Sequence, residues 1–174
     1  RVKKKIIIET VFKKFLADVH TPVGIYLRLR DRFRDTILLE SADFHAHENS
    51  FSFIGINAIA GIEIRDKALV EYKLPGLPPE KIELKGMKEV PGILLDFLHR
   101  FDVNPVPEKP VKVCQGLFGY ISYDAVQFFE TIRLKDKQVN GNRIPLMRYR
   151  LYQYVIAIDH FKEAVSILDA GSLR

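Results

Sequence analysis

Apolar and polar positions change period several times along this chain, and the changes divide it into elements. In residues 9–19, "ETVFKKFLADV", Val11, Phe12, Phe15, Leu16 and Val19 fall on one helical stripe behind a cap at Thr10, which predicts a helix. A second helix is expected from "TPVGIYLRLRDRF", with Thr21 as N-cap and Pro22 at the first helical position, running to about Phe33. The period then shortens. "TILLES" reads as one strand and "SFSFIGIN", Ser50 to Asn57, as another. "AGIEIRDKALVEY" predicts a hairpin that carries Ile62 and Ile64 through a turn at Asp66-Lys67 into Leu69 and Val70.

"KLPGLPPEK" holds three prolines and a glycine and is expected to be a loop. "PGILLDFLHRF" returns to helical spacing from Pro91, with Ile93, Leu94, Phe97, Leu98 and Phe101 on the apolar face. Residues Asp102 to Val111 form a Pro-rich extended surface loop in this reading, too close to both ends to separate two comfortable cores. "VCQGLFGYISYDAVQFFE" passes from a strand containing Cys114 into a short helix near Asp124, and "IRLKDKQVNGNRIP" is a polar loop with an Asn140-Gly141 turn. The last segment, "LYQYVIAIDHFKEAVSIL", is two alternating strands around Asp159 to Glu163. Helices and strands in this order predict an α+β fold with antiparallel sheet and packed helices rather than regular βαβ winding.

Composition narrows the class. The 174 residues suit one domain with a substantial core, and 47% hydrophobic with 28% charged content argues against disorder. No apolar run approaches the roughly 18 residues of a membrane-spanning helix. The short block Ile6 to Ile8 lacks the cleavage site of a signal peptide, and a chain opening on Arg1 is expected to be trimmed at that end. One cysteine, Cys114, allows no internal disulfide, which fits a cytoplasmic protein.

The formal charge of +5 is uneven: residues 1–35 carry 10 Lys/Arg against 4 Asp/Glu, and the remainder 17 against 18. A nucleic-acid binder would join that basic stretch to exposed stacking aromatics. Phe12, Phe15, Tyr26 and Phe33 sit instead at helical spacing, which favours a solvated basic face and no nucleic-acid or membrane partner.

Little catalytic chemistry is written in the chain. The ten glycines are scattered, with no phosphate-binding loop and no nucleophile elbow. "HAHE", His45 to Glu48, is the one metal-like cluster, and without a third fixed ligand it reads as a polar loop. The informative stretch is "LLES". A free amino acid needs a carboxylate for its ammonium with a hydroxyl beside it, and Glu40 and Ser41 supply that pair at a strand end. The following strand, Phe51 to Phe53, offers backbone edges and aromatic walls. A surface ion pair at Glu40, with Ser41 bonding the turn, explains the same residues without a ligand.

Four segments in order, "TPVGIYLRLRD", "ILLESADFHAHENSFSFIG", "GLFGYISYDAVQFFE" and "IPLMRYRLYQYVIAIDHFKEAVSI", resemble the N-terminal region of anthranilate synthase component I, from about Thr10 to Leu168. Aminodeoxychorismate synthase component I is the nearest related family. The resemblance implies that residues 1–174 are a single N-terminal regulatory domain, inactive alone, whose chorismate- and Mg2+-binding catalytic half lies outside the chain. It implies an effector site for tryptophan, with Glu40 and Ser41 on the ammonium and Phe51 and Ser52 bordering the ligand. No catalytic residue and no cofactor is expected in this chain. The implied partners are the catalytic half and a glutamine amidotransferase subunit, with self-association if an apolar face is left uncovered. Gly116, Gly119, Tyr120 and Asp124 are architectural in this reading. Ala58 departs from the resembled pattern, which has proline after the asparagine of a turn. A stand-alone amino-acid-binding module is the alternative from another class.

Overall fold

The computed structural model describes residues 5–16, 20–40, 50–66, 69–106, 109–132, 134 and 144–173. Along the chain run β1 (Ile6–Leu16), α1 (Pro22–Arg30), β2 (Ile37–Glu40), β3 (Phe51–Ile64), β4 (Leu69–Lys73), β5 (Glu80–Glu83), α2 (Val90–Leu98), β6 (Phe101–Val103), α3 (Lys109–Cys114), β7 (Phe118–Ile121), β8 (Met147–Asp159) and β9 (Ala164–Leu173). Short 3-10 turns occupy Met87–Glu89 and Tyr123–Phe128. Few helices and antiparallel strand pairs make this an α+β fold, as the element order predicts. Contacts group the residues into two compact units, and β3 and β8 contribute to both.

One unit holds Ile6–Ala58, Asp102–Gly116 and Leu151–Arg174. Here β9 is paired on both sides: Leu168 lies opposite Val155 of β8 and Phe12 of β1. The β2 strand joins β3 in the register Ile37↔Gly55 to Glu40↔Ser52. Ile54 and Ile56 of β3, Ile156 and Ile158 of β8 and Val165 of β9 form a buried cluster, onto which α1 lays Ile25, Tyr26 and Leu29. The α1 start follows its sequence signature: Thr21 is extended, its Oγ1 accepts from Gly24 N at 3.1 Å, and Pro22 follows. The helix ends at Arg30 rather than Phe33.

The predicted helix over 9–19 is a strand through Leu16, and Val19 lies outside the described residues. Ile6, Ile7, Ile8, Thr10 and Val11 are β-branched, and from Ile8 to Leu16 the strand gains a long partner in β9, so pairing overrides the helical period. The proposed stripe is not a core face: Val11, Phe15 and Leu16 are 67%, 49% and 89% exposed. Thr10 caps nothing; its Oγ1 accepts from Gln115 Nε2 at 2.7 Å. Cys114 likewise ends α3, with Val111 buried one turn before it, rather than lying in a strand.

The other unit includes Ile59–Phe101 and Leu117–Arg150. Its antiparallel ladder runs from β3 through β4 to β5, with Glu63↔Glu71 and Glu71↔Lys81 directly opposed, and β7 pairs with the start of β8. Strand alternation sends Ile62, Ile64 and Val70 into the core and Glu63 to the other face. On the apolar side, Phe97 of α2 meets Tyr72 edge-on at 6.2 Å and Phe101 at 5.3 Å. The β3–β4 hairpin forms where predicted, with its turn residue Lys67 outside the described set. The proline-rich 73–81 stretch loops as expected but delivers Glu80 into β5, a strand that four charged-apolar residues did not announce. The expected 102–111 connector is part β6 and part α3.

Ala58 lies inside β3, so the turn expected there does not exist. The chain accommodates the region instead with Asn57 in the left-handed region, φ 59°, its Nδ2 donating to Gln153 Oε1 at 2.6 Å. Gly119 does permit a close approach: a Cβ added there would stand 1.8 Å from the Arg148 carbonyl oxygen. At Gly116 the nearest atom to such a Cβ is 3.4 Å away, an ordinary contact.

Candidate functional site

The strand pair β2–β3 ends on the residues singled out in the sequence. Glu40 is the last residue of β2, exposed, and directly opposite Ser52. Opposed residues of an antiparallel pair share a face, so these two side chains are neighbours. Ser52 is fully buried, and its hydroxyl lies 2.7 Å from His160 Nε2. Phe51, the first residue of β3, stacks on Phe53 with ring centroids 6.1 Å apart. Alternation places both rings on the face opposite Ser52. The structure therefore joins Glu40 to Ser52, and puts Phe51 at the same strand end on the other side. Ser41 and the "HAHE" residues His45 to Glu48 lie outside the described residues.

His160 is the member sequence reasoning missed. It follows Asp159 in the β8–β9 turn, where Asp159 Oδ1 accepts from the amides of Phe161 and Lys162, each at 3.0 Å. That turn also lets His160 N donate to Ser50 O at 3.1 Å. One side chain and one backbone bond thus tie the start of β3 to the β8–β9 turn. The only sequence signal was the hairpin itself.

The second polar centre belongs to the other compact unit. Glu63 Oε1 takes Arg65 Nη2 at 2.7 Å, while Oε2 takes Arg148 Nε at 2.7 Å and Arg150 Nη2 at 3.0 Å. Burial pushes the Glu63 carboxyl up, but the hydrogen bond and charge of Arg148, with Arg150 and Arg65, outweigh it and hold the group below its ordinary 4.5. In the same unit the Tyr72 hydroxyl donates to Glu80, and this bond, with burial, pushes the phenol up. An open cleft is lined by Tyr72 with Ile62, Ile82, Ile93 and Phe97, and by Asp96 and Arg100.

Burial raises the Cys114 thiol to about 12, which disfavours the thiolate that a nucleophile needs. Among the described residues no three His, Cys, Asp or Glu side chains gather as metal ligands. Nor is any described helix long and apolar enough to cross a membrane.

An antiparallel α+β module with a carboxylate at an exposed strand end is the class these features define. Over most of its length the chain is homologous to part of anthranilate synthase component I. It is 30% identical over 159 residues to the Mycolicibacterium smegmatis anthranilate synthase component 1, covering 91% of this chain and 29% of that protein. Against the Thermus thermophilus protein of the same name identity is 26% over 161 residues, covering 91% and 31%. The Aquifex aeolicus protein of that name is 28% identical over 144 residues, covering 82% and 26%. The chain thus spans under a third of the relatives it matches. The crystal structure of anthranilate synthase component I from Streptococcus pneumoniae aligns over 90% of this chain and 31% of its own, with a TM-score of 0.48 and 18% identity. No family model matches the chain.

Proposed function

We propose that this chain is the N-terminal, regulatory part of an anthranilate synthase component I and carries part of its tryptophan feedback site. The observation that carries the reading is the exposed Glu40 carboxylate at the end of β2, beside Ser52, in a chain homologous to that enzyme over 91% of its length. Glu40 and Ser41 hold the effector's ammonium, a charge-assisted contact, and Ser52 and Phe51 border the ligand. Because Phe51 stands on the opposite face, the ring meets it only by reaching round the strand end. The remaining wall comes from the catalytic part, and so does the chemistry. There chorismate and ammonia, supplied by a glutamine amidotransferase partner in the cytoplasm, give anthranilate and pyruvate, with Mg2+ held by that part alone.

Feedback requires that tryptophan bind the less reactive state more tightly, since equal affinity for both states shifts nothing. Joined to its catalytic part, the chain is expected to support fluorescent anthranilate production from chorismate and ammonia, lowered by added tryptophan. Glu40→Ala should leave the uninhibited rate intact and remove the inhibition. Absence of anthranilate from the joined enzyme counts against the whole reading; inhibition that survives Glu40→Ala counts against the site.

A further inference from the structure

The apolar face of the β3–β4–β5 ladder leaves a cleft against α2. Ile62 lies opposite Tyr72, and Val70 opposite Ile82, so by alternation Ile62, Tyr72 and Ile82 share that face. Along α2 and just beyond it, Ile93, Asp96, Phe97 and Arg100 recur at the i, i+3, i+4, i+7 spacing of one helical side. The cleft these residues line encloses about 70 Å3. That is room for about five waters, or for a branched side chain of about four or five carbons.

The Tyr72 hydroxyl is engaged by Glu80, so Asp96 and Arg100 are the charged groups that the cleft offers a ligand. Arg100 Nε is buried and has no hydrogen-bond partner, so Asp96, one turn earlier, does not satisfy it. An unpaired buried donor is costly, and an acceptor brought to it lowers that cost. Arg100 as a residue is half-buried, so a turn about its side-chain torsions lets Nε and an Nη group take both oxygens of one carboxylate. Asp96 is exposed in the last turn of α2, where no basic residue accompanies it. Its charge and the negative end of the helix dipole favour a cation there. Apolar walls, a donor fork for a carboxylate and a carboxylate for an ammonium suit an aliphatic zwitterion.

We propose that this cleft binds an aliphatic α-amino acid of leucine's size, its carboxylate on Arg100, its ammonium on Asp96 and its side chain among Ile62, Ile82 and Ile93. Every lining residue falls within Ile59–Phe101, whereas Glu40 belongs to the other compact unit. The site is therefore independent of the effector site at Glu40, and an indole ring is too large for it.

The test is titration of L-leucine into the full 174-residue chain, followed by the methyl resonances of Ile62, Ile82 and Ile93. Two analogues separate the head groups: isocaproate lacks the ammonium and isoamylamine lacks the carboxylate. Saturable shifts of these methyls with leucine are expected. Each analogue should bind roughly tenfold or more weakly, the loss of one charge-assisted contact. Asp96→Asn should weaken leucine to a similar degree without weakening isocaproate, while Arg100→Gln should weaken both. Asp96 is exposed, so the fold should tolerate its change, and an unchanged unfolding midpoint checks this. No saturable shift with leucine, isocaproate binding as tightly as leucine, or leucine binding unaltered in Asp96→Asn overturns the proposal.

Discussion

Glu63→Gln is expected to destabilise the chain by about 3–5 kcal/mol, the range for removing one partner of a buried ionic network. Glutamine keeps the volume but not the charge: its carbonyl oxygen can still accept, but its NH2 would face guanidiniums that, like it, only donate. Urea unfolding should show a lower midpoint with an unchanged slope, since the exposed area is the same. The same carboxylate sets an acid limit. Its folded pKa lies below the 4.5 of an ordinary glutamate, so the ionised form stabilises the fold above that value. The contribution fades as pH falls below 4.5 through the folded pKa. In Glu63→Gln that part of the acid dependence should vanish. A loss under about 1 kcal/mol, with the acid limb intact, would mean the cluster behaves as a solvated surface pair.

Gly119→Ala is expected to cost about 3 kcal/mol or more, because the obstacle is backbone. Gly119 lies opposite Tyr149, and the added methyl would overlap the Arg148 carbonyl oxygen at 1.8 Å. A side chain could swing aside; a carbonyl in the β7–β8 pair cannot without parting the strands. Amide exchange should accordingly speed up across Phe118–Ile121 while the β8–β9 pair keeps its protection. Gly116→Ala is the matched control, with its nearest contact at 3.4 Å, and should be close to neutral.

Much of the fold could be read from local pattern where pattern and pairing agree. The β3–β4 and β8–β9 hairpins, and the start of α1 at Thr21-Pro22, declare themselves through alternation and capping chemistry. Residues 9–16 misled because Val11, Phe12, Phe15 and Leu16 also satisfy a helical period. What decided their structure was β9, some 150 residues later, which no local window sees. The candidate site was visible in part. Glu40 announces itself as a charge at the end of an apolar strand. The burial of Ser52 and its bond to His160 depend on a contact spanning 108 positions. Glu63 and its arginines were invisible for the same reason: residues 63 and 65 meet 148 and 150 only when the chain folds.

Under the proposed function, an aromatic amino acid docks its ammonium on Glu40. Calorimetric titration of tryptophan into the chain, alongside Glu40→Ala, tests it most directly. Saturable binding to the unaltered chain is expected, weak because part of the pocket lies elsewhere, with none to the variant. Binding of equal strength to both would remove Glu40 from the site.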